Sequence, residues 1–96
     1  MQIYELVEKA HSNAKEKGFW DNPRETGTLL ALIHSEVSEA LEASRNGDNE
    51  NFAEELADIV IRVADLAGGY RINLEYAIQK KMEINSYRQH KHGKRF

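Results

Sequence analysis

A chain of 96 residues with 41% hydrophobic and 30% charged content is long enough for one small core, and it reads as an ordered, soluble domain with little apolar surface to spare. With no cysteine, disulfide frameworks, thiol nucleophiles and thiolate metal sites are excluded, and no apolar run approaches the roughly 20 residues that would cross a bilayer. The net charge of −3 conceals an acidic middle and a basic end: residues 80–96 hold six Lys or Arg against the single Glu83. That asymmetry fits a compact anion bridged to the acidic segment by a metal better than a nucleic-acid polymer, whose backbone the rest of the chain would repel. The opening MQIYELVEKAH lacks the apolar stretch of a signal peptide, so a cytoplasmic location is expected.

Apolar spacing and the glycine positions predict four helices and no strand, an all-α fold within one domain spanning residues 1–96. The first helix is expected from about Gln2 to Lys17, with Ile3, Leu6, Val7, Ala10 and Ala14 on one face and Gly18 as its stop. The loop GFWDNP follows. Asn22, with Pro23 at the first helical position and Glu25 three residues after the cap, signals a second helix from Pro23 to Arg45; Thr26 is the rival cap. Asp48 or Asn49 caps a third helix reaching Ala67 and closed by Gly68 and Gly69, and Asn73 caps a fourth through about Tyr87. The basic tail, about residues 89–96, is expected to be irregular.

The acids stand out once they are placed on these helices. Residues 34–58 carry eight carboxylates against one arginine. At about 100° per residue, the second helix gathers Leu29, Leu30, Leu32, Ile33, Val37, Ala40, Leu41 and Ala43 into one apolar arc; Glu36 falls inside it, Glu39 at its edge, and Glu42 on the solvent side. On the third helix Phe52, Leu56, Ile59, Val60, Val63 and Ala67 mark the core face, flanked by Glu55 and Asp58 at spacing i, i+3, with Glu54 and Asp65 directed away. Isolated carboxylates in an apolar seam cost several kcal/mol each unless they are paired, protonated or bound to a cation. Two helices each presenting acids at i, i+3 suit a hard, oxygen-seeking cation, Mg²⁺ or alternatively Mn²⁺. The plainer alternative is a solvated acidic face with ion pairs such as Asp58 to Arg62.

On the fourth helix Leu74, Ile78 and Met82 define the buried stripe, and Lys81, Asn85 and Arg88 fall within or beside it. They read as a phosphate clamp, or else as partners of the acids in an internal salt-bridge network. Trp20, and more weakly Phe19, is a candidate to stack on a base, although a lone Trp also serves as a core or interface plug. Glu8 and His11 form one E-x-x-H, the unit of di-iron bundles, but a second copy and two more acids are missing. His34 is expected at the surface or at an interface. The outward-facing Ile61, Tyr76 and Tyr87, added to a thin core, favour burial against another subunit.

Taken in order, E-x-x-E (Glu36, Glu39), E-x-x-D (Glu55, Asp58) and K-x-x-x-N-x-x-R (Lys81, Asn85, Arg88) give the chain a resemblance to the MazG-like all-α nucleoside triphosphate pyrophosphohydrolases over nearly its whole length. The closing KHGKRF is similar to the tail of many small members. The resemblance implies a four-helix bundle completed by homo-oligomerisation, as a homodimer or homotetramer. It also implies Mg²⁺ held by Glu36, Glu39, Glu55 and Asp58, and cleavage of a nucleoside triphosphate substrate between the α and β phosphates. Glu39 would activate water, Lys81 and Arg88 would stabilise phosphate charge, and Trp20 and Asn85 would help to bind the nucleotide. The fullest form of the first motif is E-E-x-x-E, and Ser35 stands in its first place; the helical wheel turns that position away from the core, so metal binding is expected to survive. A dedicated deoxynucleotide or phosphoribosyl-ATP pyrophosphohydrolase is a sister activity, and a non-catalytic helical interaction module is the alternative from another class.

Overall fold

The computed structural model describes residues 1–88 and contains four helices: α1 (Ile3–Glu16), α2 (Thr26–Arg45), α3 (Asn49–Gly69) and α4 (Leu74–Ser86). Among the described residues there is no strand, and no helix is long and apolar enough to cross a membrane. The expected irregular tail, with His90 and His92, lies outside the described residues.

Most of the helix ends have a chemical reason. Gln2 and Glu5 close a capping box at the start of α1, where the Gln2 amide donates to Glu5 Oε1 at 3.0 Å. Asp48 and Asn73 accept from the backbone N–H groups of Asn51 and Tyr76, capping α3 and α4. α1, α2 and α3 all finish with a left-handed residue two positions past the helix: Gly18 at φ 82°, Gly47 at φ 69° and Arg71 at φ 57°. In each case the N–H of that residue and of the next one return to the last turn: Gly18 to Lys15 and Phe19 to Ala14, Gly47 to Ser44 and Asp48 to Ala43, Arg71 to Gly68 and Ile72 to Ala67. Arg71 occupies a conformation in which glycine would carry no steric cost.

Two boundaries differ from expectation. α2 begins at Thr26, three residues after Pro23, with Glu25 as its N-cap and no side-chain cap bond. The chain before it is held as a loop instead, since Trp20 is anchored to α3 and Arg24 Nη1 donates to the Phe19 carbonyl at 3.4 Å. Gly68 and Gly69 lie within α3 rather than stopping it. Their role is close approach: a Cβ on Gly68 would stand 2.6 Å from His11 Cβ, and one on Gly69 would overlap the Trp20 indole.

α3 is central, packed against α2 on one side and α1 on another, while α4 touches α1. The buried hydrophobic core consists of Ala10, Ala14, Leu29, Ala40, Ala43, Ala64 and Ala67. Alanine on both sides of a helix pair permits short interaxial distances, but each buries little area, so at about 25 cal/mol per Å² the single chain gains little from this core. The single apolar arc expected on α2 is therefore split. Leu29, Leu32, Ile33, Ala40 and Ala43 turn toward the protein, whereas Leu30, Val37 and Leu41 remain exposed. On α3, Leu56 and Val60 are likewise uncovered, at 46% and 53% exposure, although the wheel counts them as core. The cause is shared: none of the described residues covers that face of the α2–α3 hairpin.

Candidate functional site: a carboxylate cluster at the α2–α3 seam

The antiparallel pairing of α2 and α3 brings Glu36, Glu39 and Glu55 together, with one carboxylate oxygen of each within 4.8 Å of the others. Glu36 is buried, Glu55 half-buried and Glu39 exposed, so the cluster opens from the seam toward solvent. Arg62, two turns after Glu55 on α3, donates Nε–H to Glu36 Oε1 at 2.7 Å. This guanidinium bond holds the Glu36 carboxyl below its usual value of 4.5 against the opposing effect of burial. Arg62 thus reaches across to α2 rather than pairing with Asp58 along its own helix, because burial of Glu36 makes a charge-assisted partner worth more there than on the surface.

Glu55 has the opposite environment. Burial first, then the neighbouring Glu39 and Glu36 carboxyls and the charge of Asp58, push it up to about 7. Its Oε2 is buried with no hydrogen-bond partner among the described residues. A buried, unsatisfied carboxylate oxygen facing two more carboxylates is costly in a metal-free protein, and a bound hard cation removes the cost at once. The donor set, all carboxylate oxygen, fits Mg²⁺ or Mn²⁺ and suits soft metals poorly.

The other expected site residues are placed unequally. Asp58, one turn beyond Glu55 and exposed, is not within the group of three close oxygens; with Glu36 and Arg62 it lines an open depression of about 480 Å³. That depression runs toward the end of α1, where Asn13, Lys17 and Phe19 form its far wall. Ser35 is exposed and its hydroxyl donates to the Leu32 carbonyl at 2.6 Å, turned away from the cluster as expected. Lys81, Asn85 and Arg88 are exposed and do not line the depression. Met82, expected in the buried stripe of α4, is 66% exposed, because α4 packs on α1 through its first half only.

Asp65 is a correction. It does not face away but is half-buried, and its Oδ1 accepts from Trp20 Nε1 at 2.8 Å and lies 2.9 Å from His11 Nδ1. The His11 and Trp20 rings meet edge to face, with centroids 5.1 Å apart. Together they tie α1, the following loop and α3; Phe19, the neighbour of Trp20 in that loop, is half exposed at the wall of the depression. A wheel that assigns α3 one buried face cannot find Asp65. The readable signal was the Gly68–Gly69 pair itself, which lies against His11 and Trp20 and marks a second close contact of α3. Arg62, Asn13 and Lys17 were also not singled out as site residues; nothing in their spacing distinguishes them from surface residues.

No curated protein and no solved structure among those compared matches the chain. The family model of the MazG nucleotide pyrophosphohydrolase domain matches residues 24–93, a span that takes in both pairs of acids and the Lys81, Asn85 and Arg88 positions. The chain belongs to the MazG nucleotide pyrophosphohydrolase domain family.

Proposed function

We propose that the protein hydrolyses nucleoside or deoxynucleoside triphosphates between the α and β phosphates, releasing the monophosphate and pyrophosphate, and so removes surplus or non-standard nucleotides from the cell's pool. The observation that carries this reading is the meeting of Glu36, Glu39 and Glu55 around the unpartnered Oε2 of Glu55. With Asp58 beside them, these acids would hold Mg²⁺. A dication there supplies neutralisation of phosphate charge and acidifies water.

The chain's own residues account for the rest. Arg62 fixes the Glu36 carboxylate and keeps it ionised at neutral pH. Glu39, the exposed member of the cluster, accepts the proton of the attacking water. Phe19 offers an aromatic surface to the base at the wall of the depression, where Asn13 presents both a donor and an acceptor. The depression, at about 480 Å³, falls in the size range of nucleotide-sized ligand sites, about 300 to 1,000 Å³. Lys81 and Arg88 contribute positive charge to the departing pyrophosphate.

The test is a panel of ribo- and deoxyribonucleoside triphosphates with products resolved chromatographically. The expected result is monophosphate and pyrophosphate in equal amounts from at least one nucleotide, lost in EDTA and restored by Mg²⁺. No turnover across the panel with either Mg²⁺ or Mn²⁺ would instead favour the interaction module.

A further inference from the structure

Arg62 has donors to spare beside the acids. Its guanidinium gives a single hydrogen bond, from Nε to Glu36 Oε1 at 2.7 Å, and makes no other among the described residues. Nη1 and Nη2, which carry the planar fork of N–H groups, have no partner there, and neither is buried. The side chain is 41% exposed, against 12% for that of Glu36, and it lines the depression together with Glu36 and Asp58. An arginine kept only to neutralise a carboxylate generally offers it two parallel N–H groups, because the bidentate pair is the stronger one. Here one N–H is spent on the acid and the fork is left over. A lysine would neutralise Glu36 as a point charge, with no fork remaining.

The distribution of charge narrows what the fork can serve. Among the described residues, Arg62 and Lys17 are the cations that line the depression. Lys17 stands with Asn13 and Phe19 at the end of α1, whereas Arg62 stands at the acid end with Glu36 and Asp58. A phosphate chain brought to that end meets carboxylates, which repel it, and one guanidinium that attracts it. We infer that Arg62 contacts the substrate: its Nε holds Glu36 while its Nη groups donate to phosphate oxygens of a nucleoside triphosphate seated in the depression, so that one side chain joins the acid cluster to the phosphate chain. This inference rests on the hydrolase reading of the acids and adds to it a phosphate ligand from α3, the helix that carries Glu55 and Asp58. Because the bond to Glu36 already orients the guanidinium, little side-chain freedom is lost when the phosphate arrives.

The experiment separates metal binding from phosphate binding. The wild type, Arg62→Lys and Arg62→Gln are titrated by calorimetry with Mg²⁺ alone, and then, in Mg²⁺, with the α,β-methylene analogues of the nucleotides in the panel above. Arg62→Lys keeps a cation for Glu36, so its affinity for Mg²⁺ should stay within about threefold of the wild type. Its affinity for the triphosphate analogue should fall about tenfold or more, because the fork to the phosphate is gone, and Arg62→Gln should bind the analogue no better. Analogue binding unchanged in both variants would overturn the inference, as would a fall matched by an equal fall in Mg²⁺ affinity, the signature of an arginine that only props Glu36. A wild type that binds no analogue would instead overturn the hydrolase reading. A second measurement needs no substitution: the Arg62 guanidinium signals are assigned through bonds from its own backbone by nuclear magnetic resonance. Adding the analogue with Mg²⁺ should resolve the Nη–H signals by slowing their rotation and exchange, with the Nε–H signal retained. Nη–H signals that stay as they are in the free protein would overturn the inference even if neither variant folds.

Discussion

Glu36 and Glu55 are both glutamates at one helical seam, yet their carboxyls are driven in opposite directions. Arg62 stabilises the charge on Glu36, whereas burial and the adjacent carboxyls disfavour the charge on Glu55. The consequence for stability has a definite sign. Between the usual value of 4.5 and about 7, folded Glu55 retains a proton that the unfolded chain has already released, so its ionisation costs stability as pH rises through that window. Glu36 works the other way, contributing stability above the usual carboxylate range that is lost as pH falls through its lowered value. The metal-free protein is therefore expected to melt at a lower temperature at about pH 7.5 than at about pH 5.5, and Glu55→Gln should flatten that dependence. Added Mg²⁺ should raise the melting temperature more at the higher pH, where Glu55 is ready to ionise. Calorimetry across this range checks the prediction; a melting temperature that climbs from about pH 5.5 to about pH 7.5 in EDTA would contradict the environment assigned to Glu55.

At the scale of elements, most caps and turns were readable because they depend on a few neighbouring residues, the Asn22–Pro23 start and the Gly68–Gly69 stop being the exceptions. Gly18, the Asn46–Gly47 turn, Asp48 and Asn73 all act where their chemistry indicates. Faces were less readable. Glu36, Glu39 and Glu55 could be brought together from their spacing, because two antiparallel helices joined by a short turn must face each other. Which half of the α2 arc is covered depends on what else packs there, and α3 has two partners where a wheel assumes one. The α3 glycines express that second partner. Gly69→Ala should push the Trp20 indole off its seat and destabilise the protein by about 1 to 3 kcal/mol, as overpacking generally does. Arg71→Gly, which relieves a left-handed residue, should stabilise it by about 1 kcal/mol. Urea unfolding followed by the fluorescence of the single tryptophan measures both.

At the scale of the whole molecule, a core made almost entirely of alanine leaves Leu30, Val37, Leu41, Leu56 and Val60 on one uncovered face of the hairpin and the end of α4 without support. Such a chain has a strong reason to self-associate, since small domains with little buried area commonly depend on oligomerisation. Sedimentation is expected to find a dimer or larger species at micromolar concentration, and Leu41→Glu should shift the population toward monomer by placing a charge on the apolar face. A single chain that stays monomeric at all concentrations would leave those faces unexplained.

On the proposed function, the carboxylates at the α2–α3 seam direct water to the α phosphorus of a bound nucleoside triphosphate. Hydrolysis of an accepted triphosphate in ¹⁸O-water, with the products weighed by mass spectrometry, tests it most directly. The label is expected in the nucleoside monophosphate, with unlabelled pyrophosphate released alongside it. Label confined to pyrophosphate, or released as orthophosphate with a nucleoside diphosphate, would contradict the claim.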